Sequence, residues 1–436
     1  MSHVKNIIKY IPSKIIPGLG GLIGISLLSK NLTLDKYGVY SLYITAALVG
    51  AQLGMGWISN NLINNNIENI KYGKKIDRII IKSLLISISI IPIIVYGLII
   101  SIANIEIKYY EIIVLIILSI MIGLNGVFIS IFQSIGIVKW QQIGIIVQIS
   151  SWILILWLIK SIDNFNLING ILAYLAGWVA YNFILFWVLV KIYKIEISND
   201  SEIKLEKFVR TGLPYVGWFA VAQMFNFFDK SMLMYFTDAK TVGLYSAYKD
   251  LFVGAASIII MPIMMTSHPS VALDIKARNY RDAFIKINLN VKILSTIFLL
   301  VGILYKIIGE MVIKLLLGEK YSYNYELGHY LILYIYITAI YMNQQKILEV
   351  SAKVINLFFG FLTSLVVFII IAYLILNDKK LIGLVSALII SALIYYCYVL
   401  TITKSIISKN ETNKNIYNSK YYFIGTLMLF FVMGYV

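Results

Sequence analysis

Residues 210–250 read RTGLPYVGWFAVAQMFNFFDKSMLMYFTDAKTVGLYSAYKD, which is two long apolar runs on either side of a polar turn at residues 237–240. At about 1.5 Å per residue, a run of about 20 apolar residues crosses the hydrocarbon layer of a bilayer as a helix. The first run has that length within the quoted stretch, and the second reaches it by continuing to about residue 266, although each also carries two charged residues. The stretch therefore predicts two membrane helices joined in a tight hairpin.

The charges in this hairpin lie where membrane helices usually have none. An ionisable side chain near the bilayer centre costs roughly 2.5–3.5 kcal/mol on insertion scales, so it usually faces a partner or a water-filled path. In a hairpin folded at residues 239–240, the two helices place opposite charges at equal depth. This predicts the ion pairs Asp229–Lys249 and Lys230–Asp250. Such pairs either neutralise each other or line a hydrophilic cavity, and the sequence leaves both interpretations open.

The whole chain has the composition of an integral membrane protein. Of its 436 residues 60% are hydrophobic and 13% are charged, and the mean hydropathy is +0.85. Soluble domains have about 45–50% apolar and about 25% charged residues. Apolar stretches of about 18 or more residues recur from end to end, which is typical of helices rather than of barrel strands. The sequence therefore predicts an all-α integral membrane protein.

The net charge of +16 does not indicate a nucleic-acid partner. The basic residues lie between the apolar stretches, where the positive-inside rule places them. Cys397 is the only cysteine, which excludes an intrachain disulfide, and His3, His268 and His329 are too scattered to propose a metal site. We therefore predict no nucleic-acid partner, no metal and no cofactor.

We predict about twelve membrane helices, with the N-terminus in the cytoplasm. Lys and Arg number about 25 in the loops on the side of the N-terminus and about 10 on the other side, and the positive-inside rule assigns the richer side to the cytoplasm. The final apolar run, residues 421–436, is short for a full crossing and would be a thirteenth helix. The predicted spans are 7–29, 38–58, 79–103, 111–134, 143–160, 167–193, 209–236, 241–266, 284–308, 327–347, 352–376 and 380–403.

An internal repeat divides the chain into two halves. Residues 37–43, YGVYSLY, open the second span, and residues 242–248, VGLYSAY, open the eighth. Because six spans return the chain to its starting side, the two halves would be related by an axis along the membrane normal. We predict pseudo-symmetric six-helix lobes at 1–193 and 209–403 around a central cavity, a cytoplasmic linker at 194–208, and a cytoplasmic loop with a short apolar helix at 404–436.

Motifs for catalysis and nucleotide binding are absent from the sequence. No stretch fits the P-loop pattern G-x-x-x-x-G-K-[ST], and the patterns G-x-S-x-G and H-E-x-x-H are also missing. The loops are short, and their carboxylates are scattered. We therefore predict that the protein is not an enzyme.

Three segments carry a resemblance to a known family. Together they resemble, over about residues 5–405, the O-antigen and capsule repeat-unit flippases (Wzx-like polysaccharide-biosynthesis proteins) of the multidrug/oligosaccharidyl-lipid/polysaccharide exporter (MOP) superfamily. The resemblance implies two lobes around a cavity that opens alternately to each side. The segments are Gly18–Lys30 followed by Asp35–Ser41, Asp229-Lys230 followed by Val242–Ala247, and Leu317–Tyr321 before the tenth span.

The resemblance also implies a function. Such proteins move an undecaprenyl-diphosphate-linked oligosaccharide, such as an O-antigen (lipopolysaccharide) or capsule repeat unit, from the inner to the outer leaflet of the bacterial cytoplasmic membrane. The expected partners are that glycan, membrane lipids and the polysaccharide polymerase machinery. Coupling to a proton or sodium gradient is left open.

A path for this substrate needs cations for the phosphates and hydrogen-bonding side chains for the sugar hydroxyls, because neither group enters hydrocarbon unaided. Asp229 matches a carboxylate that recurs at this place in the family, and it would anchor a lysine or carry a coupling proton. At about 100° per residue, Gln223 and Asn226 share one face of the seventh span with Asp229 and Lys230. The candidate cations are Lys14, Lys230, Lys249 and Lys292, and the candidate sugar contacts are Gln52, Asn125, Gln148, Gln223, Asn226, Tyr245 and Tyr248.

Three alternative functions belong to other substrate or reaction classes. A drug/cation antiporter of the same superfamily would have the same fold and an acidic cavity. A lipid II flippase would have nearly the same composition, and neighbouring genes for glycosyltransferases or for cell division would discriminate the two. A membrane-bound glycan polymerase or transferase would be an enzyme, and purified protein that makes glycan without partners would establish it.

Overall fold

The structure is a computed structural model, and it describes residues 2–65, 75–102, 107–135, 137, 139–162, 165–194, 196–198, 205–351, 354–408 and 419–435. Within these residues the chain forms twelve helices and two short strands. A π-helical turn, Val188–Ile192, continues the sixth helix. The elements are α1 Ser2–Asn31, α2 Leu34–Asn65, β1 Lys75–Asp77, α3 Arg78–Ile100, α4 Tyr109–Ile135, α5 Lys139–Ser161, α6 Leu167–Trp187, β2 Glu196–Ser198, α7 Leu205–Phe236, α8 Ala239–Lys276, α9 Tyr280–Leu317, α10 Tyr325–Val350, α11 Val354–Ser408 and α12 Ser419–Tyr435.

The expectation of an all-α, multi-pass membrane protein is confirmed. Eight helical segments in the described part of the chain are long and apolar enough to cross a membrane, and Ile15–Asn31 is a shorter apolar helix. The predicted turn is also present, because α7 ends at Phe236 and α8 begins at Ala239. Large apolar side chains are exposed along these helices, for example Ile93 and Phe183. Such a surface suits contact with lipid rather than with water.

The eleventh and twelfth predicted spans form a single element, α11, with a sharp kink. At Lys380 the backbone has φ 34° and ψ −114°, which lies outside the helical region. Side chains with a Cβ rarely adopt a positive φ, so this residue marks the turn between two helices rather than a bend within one. The two spans thus meet in a minimal connection at Lys380.

Local capping residues fix where several helices begin. Asn166, Asn279 and Asn324 each accept, through the side-chain oxygen, a hydrogen bond from the backbone N–H three residues further on. These bonds satisfy N–H groups that the first turn of a helix leaves without a partner. The asparagines therefore define the N-termini of α6, α9 and α10.

The two short strands were not predicted. β1 pairs with β2 in parallel, with Lys75 opposite Glu196 and Asp77 opposite Ser198. Segments of three residues are too short to show the alternation that reveals a strand in a sequence. The pairing joins the chain before α3 to the chain after α6, both in loops that we predict to be cytoplasmic.

Contacts divide the chain into two compact units. The first unit is Leu27–Gly243, and the second is Met1–Ser26 with Leu244–Val436. Their boundaries fall inside α1 and α8 and differ from those of the predicted lobes, because α7 packs against α2 and belongs to the first unit. The six-helix lobes, the linker at 194–208 and the central cavity stay predictions.

In the first unit, α2 is the central helix and packs against α3, α4 and α7. Glycines let its neighbours approach closely: a Cβ on Gly54 would collide with Ile91 of α3, and a Cβ on Gly123 of α4 would lie 2.7 Å from the sulfur of Met55. Small residues at such positions are a general device for packing membrane helices, where van der Waals contact replaces the hydrophobic effect.

In the second unit, α10 is buried along most of its length between α9 and α11. The short helix α12 packs onto α9 and α10. Tyr325 donates a hydrogen bond to the carbonyl oxygen of Met433 at 3.0 Å, and His329 Nε2 lies 2.8 Å from the carbonyl oxygen of Phe430. The last predicted apolar run is therefore an integral helix of this unit.

Candidate functional site

Lys230 binds two hydroxyl groups of α2 inside the first unit. Its Nζ donates to Ser41 Oγ at 2.7 Å and to Thr45 Oγ1 at 2.8 Å, and the residue is 6% exposed. Ser41 and Thr45 are four residues apart, so α2 presents both hydroxyls on one face. A buried ammonium needs such acceptors to replace the water it has lost. The contact holds α7 against α2.

Asp229, the preceding residue of α7, is fully buried. Successive helix positions are about 100° apart, so Asp229 and Lys230 point to different neighbours. A buried carboxylate is stable only with charged or hydrogen-bonding partners. The predicted pairing of Asp229 with Lys249 and of Lys230 with Asp250 stays a prediction.

A polar face continues along α2 and α7 beyond the lysine contact. Gln52, Gln223 and Asn226 are half-buried. α2 and α7 run in opposite directions, since Lys230 near the end of α7 meets residues near the start of α2. Gln52 follows Thr45 by seven residues, and Gln223 precedes Lys230 by seven, so both amides lie about 10 Å further along the same faces. The structure therefore brings these predicted residues onto one polar face of the first unit.

Lys249 is the buried cation of the second unit. It is 5% exposed, and its Nζ lies 5.8 Å from the centroid of the Tyr245 ring, one turn earlier in α8. A cation at about 6 Å from an aromatic face is attracted by the ring quadrupole. The fully buried Tyr245, predicted as a sugar contact, thus packs beside a lysine predicted as a phosphate contact.

Two predicted sugar contacts, Asn125 and Gln148, are buried between helices of the first unit. Asn125 Nδ2 donates to Asn182 Oδ1 at 3.2 Å, and Asn182 Nδ2 donates to the carbonyl oxygen of Met121 at 2.7 Å. Gln148 packs against Gly177, where a Cβ would approach the backbone of Gln148 closely. Buried amides need internal partners. These residues join α4, α5 and α6, and in this conformation they take no part in the polar face of α2 and α7.

Tyr248, a further predicted sugar contact, anchors the loop before α10. Its hydroxyl donates to the carbonyl oxygen of Ser322 at 2.8 Å and accepts from the backbone N–H of Asn324 at 3.0 Å. In the same loop, burial lowers the pKa of the Lys320 ammonium and raises the pKa of the Tyr321 hydroxyl. The observed bonds of Tyr248 give it a structural role, and its role as a sugar contact stays a prediction.

The two remaining candidate cations are Lys292 and Lys14. Lys292 Nζ lies 4.6 Å from the centroid of the Tyr422 ring, so this half-buried lysine packs against the start of α12. The side chain of Lys14 lies outside the described residues.

Sequence reasoning missed a second polar network, which joins α8, α9 and α10. Asn290 Nδ2 donates to Ser267 Oγ at 2.6 Å and to Asn343 Oδ1 at 3.0 Å, and all three residues are buried. The sequence feature that could have indicated this network is an amide side chain inside an apolar span, as at Asn290 and Asn343. Asn125 carries the same signal, so the pattern alone does not separate packing residues from substrate contacts.

Buried charged residues occur in both units. The buried charged residues of the described chain are two acids and two lysines, Glu111, Asp229, Lys230 and Lys249. In that part of the chain no group of three or more His, Cys, Asp or Glu side chains could hold a metal ion.

Comparison with protein-family models matches residues 3–273 to the family of polysaccharide biosynthesis proteins. That match covers well over half of the chain. The chain belongs to this family. Among curated proteins, the sequence search finds no significant match. As a polysaccharide biosynthesis protein with membrane-spanning helices, it resembles transporters in its fold.

Solved structures of the MOP superfamily share the fold of this family member. An inward-facing multidrug resistance MATE transporter superposes with a TM-score of 0.68 at 16% identity, covering 91% of this chain and 96% of its own. A mutant of the Vibrio cholerae MATE transporter VcmN gives 0.67 at 13%, covering 95% and 98%. The lipid II flippase MurJ in an inward closed conformation gives 0.65 at 12%, covering 98% of each chain. At these identities the likeness shows the fold alone.

Proposed function

We propose that this protein is a flippase that moves an undecaprenyl-diphosphate-linked oligosaccharide, such as an O-antigen or capsule repeat unit, from the inner to the outer leaflet of the bacterial cytoplasmic membrane. The observation that carries the proposal is the match to polysaccharide biosynthesis proteins over residues 3–273, in a chain with the fold of membrane transporters. The protein acts by binding and conformational change and forms no covalent bond to the glycan, so it is not an enzyme.

Buried lysines support an anionic substrate. A diphosphate brings negative charge into a region of low dielectric constant, where only nearby cations or strong hydrogen-bond donors offset the cost of lost hydration. Lys230 and Lys249 are such cations, each nearly buried. In this proposal Lys249 binds the diphosphate, while Lys230 gives up its hydroxyl partners on α2 as the substrate is loaded.

The polar face of the first unit supports a sugar chain. Gln52, Gln223 and Asn226 are half-buried amides that offer both donors and acceptors to hydroxyl groups. The lipid tail needs no such face, since it stays in the bilayer. The N-terminus lies in the cytoplasm in this proposal, because the basic loops then lie on the inner side.

The proposal is tested in cells that make the lipid-linked glycan and lack their own flippase. We expect Lys249→Ala and Asp229→Ala to accumulate the lipid-linked repeat unit on the inner face and to lose surface polysaccharide, because each removes a buried charge from the path. Lys240→Ala is the matched control, since Lys240 is an exposed lysine at the turn between α7 and α8. Wild-type export by normally abundant Lys249→Ala and Asp229→Ala proteins removes both residues from the mechanism.

The same cells distinguish the proposed substrate from two alternatives, lipid II and a cationic drug. If the protein restores peptidoglycan synthesis to cells without a lipid II flippase and leaves surface polysaccharide unchanged, its substrate is lipid II. If it lowers the uptake of a cationic dye and exports no glycan, it is a drug antiporter. Buried lysines among these charges favour the anionic lipid, since a cation antiporter would suit an acidic cavity.

A further inference from the structure

Lys292 lies on the exposed face of α9. At about 100° per helical residue, it shares this face with Ile285, Thr296 and Ile303, all of which are exposed. The two isoleucines belong to the apolar surface that suits contact with lipid. Lys292 itself is half-buried, and Tyr422 of α12 lies beside it. The lysine therefore lies where the lipid-facing surface of α9 meets α12.

Within the part of the chain that the structure describes, the ammonium group of Lys292 has an aromatic ring as its partner and makes no ion pair or hydrogen bond. Nζ lies 4.6 Å from the centroid of the Tyr422 ring, in the first turn of α12. The ring attracts the cation, but the three N–H donors of an ammonium also need oxygen atoms. By contrast, Lys346, another half-buried lysine of the second unit, binds Glu349 at 2.8 Å. Lys292 thus keeps donors for a ligand with oxygen atoms.

Helix geometry places Lys292 near one boundary of the hydrocarbon layer. α12 begins at Ser419, so Tyr422 and the lysine beside it lie about 5 Å inside the start of that helix. Lys306, on nearly the same face of α9, lies about 21 Å further along and contacts the ring of Tyr325 at 6.0 Å. The hydrocarbon layer is about 30 Å thick, so both ammonium groups can extend to an interface. In the predicted orientation, Lys292 belongs to the inner one.

We propose that Lys292 and Tyr422 form a binding site for the phosphate of an anionic phospholipid in the inner leaflet. An ammonium and a phosphate form strong, charge-assisted hydrogen bonds, and the half-exposed Tyr422 adds a hydroxyl donor. The charges match, since one lysine neutralises the single negative charge of a phosphodiester, whereas a diphosphate brings at least two. A zwitterionic headgroup carries its own cation, which competes with the lysine. The site therefore favours a phospholipid with net negative charge.

The bound lipid would join two helices of the second unit. Lys292 belongs to α9 and Tyr422 to α12, so a phosphate that binds both side chains holds the start of α12 against α9. This inference goes beyond the proposed function, because it concerns a lipid that is bound and not transported. The predicted orientation enters only in the choice of leaflet. Since no test of the site uses the glycan, failure of the site and failure of the proposed function are distinguishable.

Lipid binding to the purified protein in a neutral detergent tests the site. Native mass spectrometry, titrated with phosphatidylglycerol or with zwitterionic phosphatidylcholine, gives an apparent dissociation constant for each lipid. We expect the parent to prefer phosphatidylglycerol and Lys292→Ala to bind it about fivefold more weakly, the effect of one lysine beside an anionic headgroup. Lys292→Arg keeps the charge and should keep the affinity. Equal affinities of the parent and Lys292→Ala for phosphatidylglycerol overturn the proposal.

Lys314→Ala is the matched control. Lys314 lies on the same helix, and its ammonium is already paired with Glu310 at 2.8 Å, so its loss should leave phosphatidylglycerol binding unchanged. Equal weakening by Lys292→Ala and Lys314→Ala overturns a local site, because binding then follows net charge alone. Inorganic phosphate at millimolar concentration should not displace the lipid. Displacement by inorganic phosphate overturns the assignment to a phospholipid.

Thermal unfolding tests whether the lipid joins α12 to α9. A ligand that binds only the folded state raises the unfolding temperature as its concentration rises. We expect phosphatidylglycerol to raise the unfolding temperature of the parent more than that of Lys292→Ala or of Tyr422→Phe, which keeps the ring and loses the hydroxyl. An equal rise for all three proteins overturns the joining of the helices. If Lys292→Ala does not accumulate, the parent decides, since equal affinities for phosphatidylglycerol and phosphatidylcholine overturn the proposal.

Discussion

The two copies of the repeat, residues 37–43 and 242–248, share a glycine, a serine and two tyrosines but differ in what their side chains contact. Each supplies a glycine, Gly38 or Gly243, to the close contact between the starts of α2 and α8. Each also supplies a tyrosine hydroxyl that bonds to the start of the fourth span of its half. Ser41 accepts a hydrogen bond from Lys230, whereas Ser246, at the equivalent position, is fully buried and its hydroxyl has no hydrogen-bond partner in the described chain. The bond from Lys230 is therefore a feature of the first copy that Ser246 does not share.

The tyrosine contacts also differ in their partner. Tyr43 bonds a carboxylate, because Glu111 lies in the first turn of α4 and also accepts from the backbone N–H of Lys108. Tyr248 bonds the backbone of the loop before α10. A hydrogen bond to a charged group is worth more than one between neutral groups, but Tyr248 makes two. Different chemistry therefore gives two attachments of similar strength.

The second half of the chain differs most from the first in having an additional helix, α12, which packs in the second unit. Phe430→Ala should lower the free energy of unfolding by about 3–5 kcal/mol, because the fully buried ring packs against Tyr336 and Gly302 and its loss leaves a cavity. Thermal unfolding of the purified protein in detergent measures the effect. Leu429→Ala, at an exposed neighbouring position, is the control. Equal unfolding temperatures for Phe430→Ala and the parent would show that α12 contributes little to this unit.

The paired serines test the difference between the two copies directly. Ser41→Ala should cost about 1.5–3 kcal/mol of stability, because it leaves a buried ammonium with one acceptor fewer, whereas Ser246→Ala should cost less than about 0.5 kcal/mol. The two variants remove the same atom at equivalent positions, so each controls for the other. Similar losses for both would mean that the bond from Lys230 adds no stability.

The paired tyrosines should show the smallest difference. Tyr43→Phe and Tyr248→Phe should each lower stability by about 1–2 kcal/mol, since each removes hydrogen bonds to a buried helix start. Tyr235→Phe, on an exposed ring at the end of α7, serves as control and should leave stability unchanged. A loss confined to one of the two buried tyrosines would show that the halves are not held in the same way.

Much of the fold follows from the sequence because hydropathy and charge are strong signals. The apolar runs on either side of residues 237–240 predict the turn between α7 and α8, and the repeated glycine and tyrosine positions predict two related helix starts. The repeat did not show that Gly38 and Gly243 touch each other, since that contact depends on the packing of helices far apart in the chain. The β1–β2 pairing escaped prediction because three residues carry no pattern.

The candidate site follows from the sequence only in part. Lys230 and Lys249 stand out in the sequence because charges are rare in apolar helices, and the structure buries both, whereas their part in a substrate path stays a prediction. Asn125 stands out equally, yet its amide binds Asn182 inside the first unit. A one-dimensional pattern shows that a polar residue is in a membrane helix. Whether it meets another helix or the substrate depends on side-chain direction and neighbours, which only the fold supplies.

The measurement that tests the account most directly is transbilayer movement of a lipid-linked glycan by the purified protein in vesicles. Undecaprenyl-diphosphate-linked oligosaccharide, placed in one leaflet, is followed by its access to a glycan-cleaving enzyme outside. We predict that the protein accelerates movement over protein-free vesicles, and that Lys249→Ala removes the acceleration while Lys240→Ala keeps it. Movement at the protein-free rate, or equal rates for parent and Lys249→Ala, would contradict the claim that a buried cation carries the anionic headgroup.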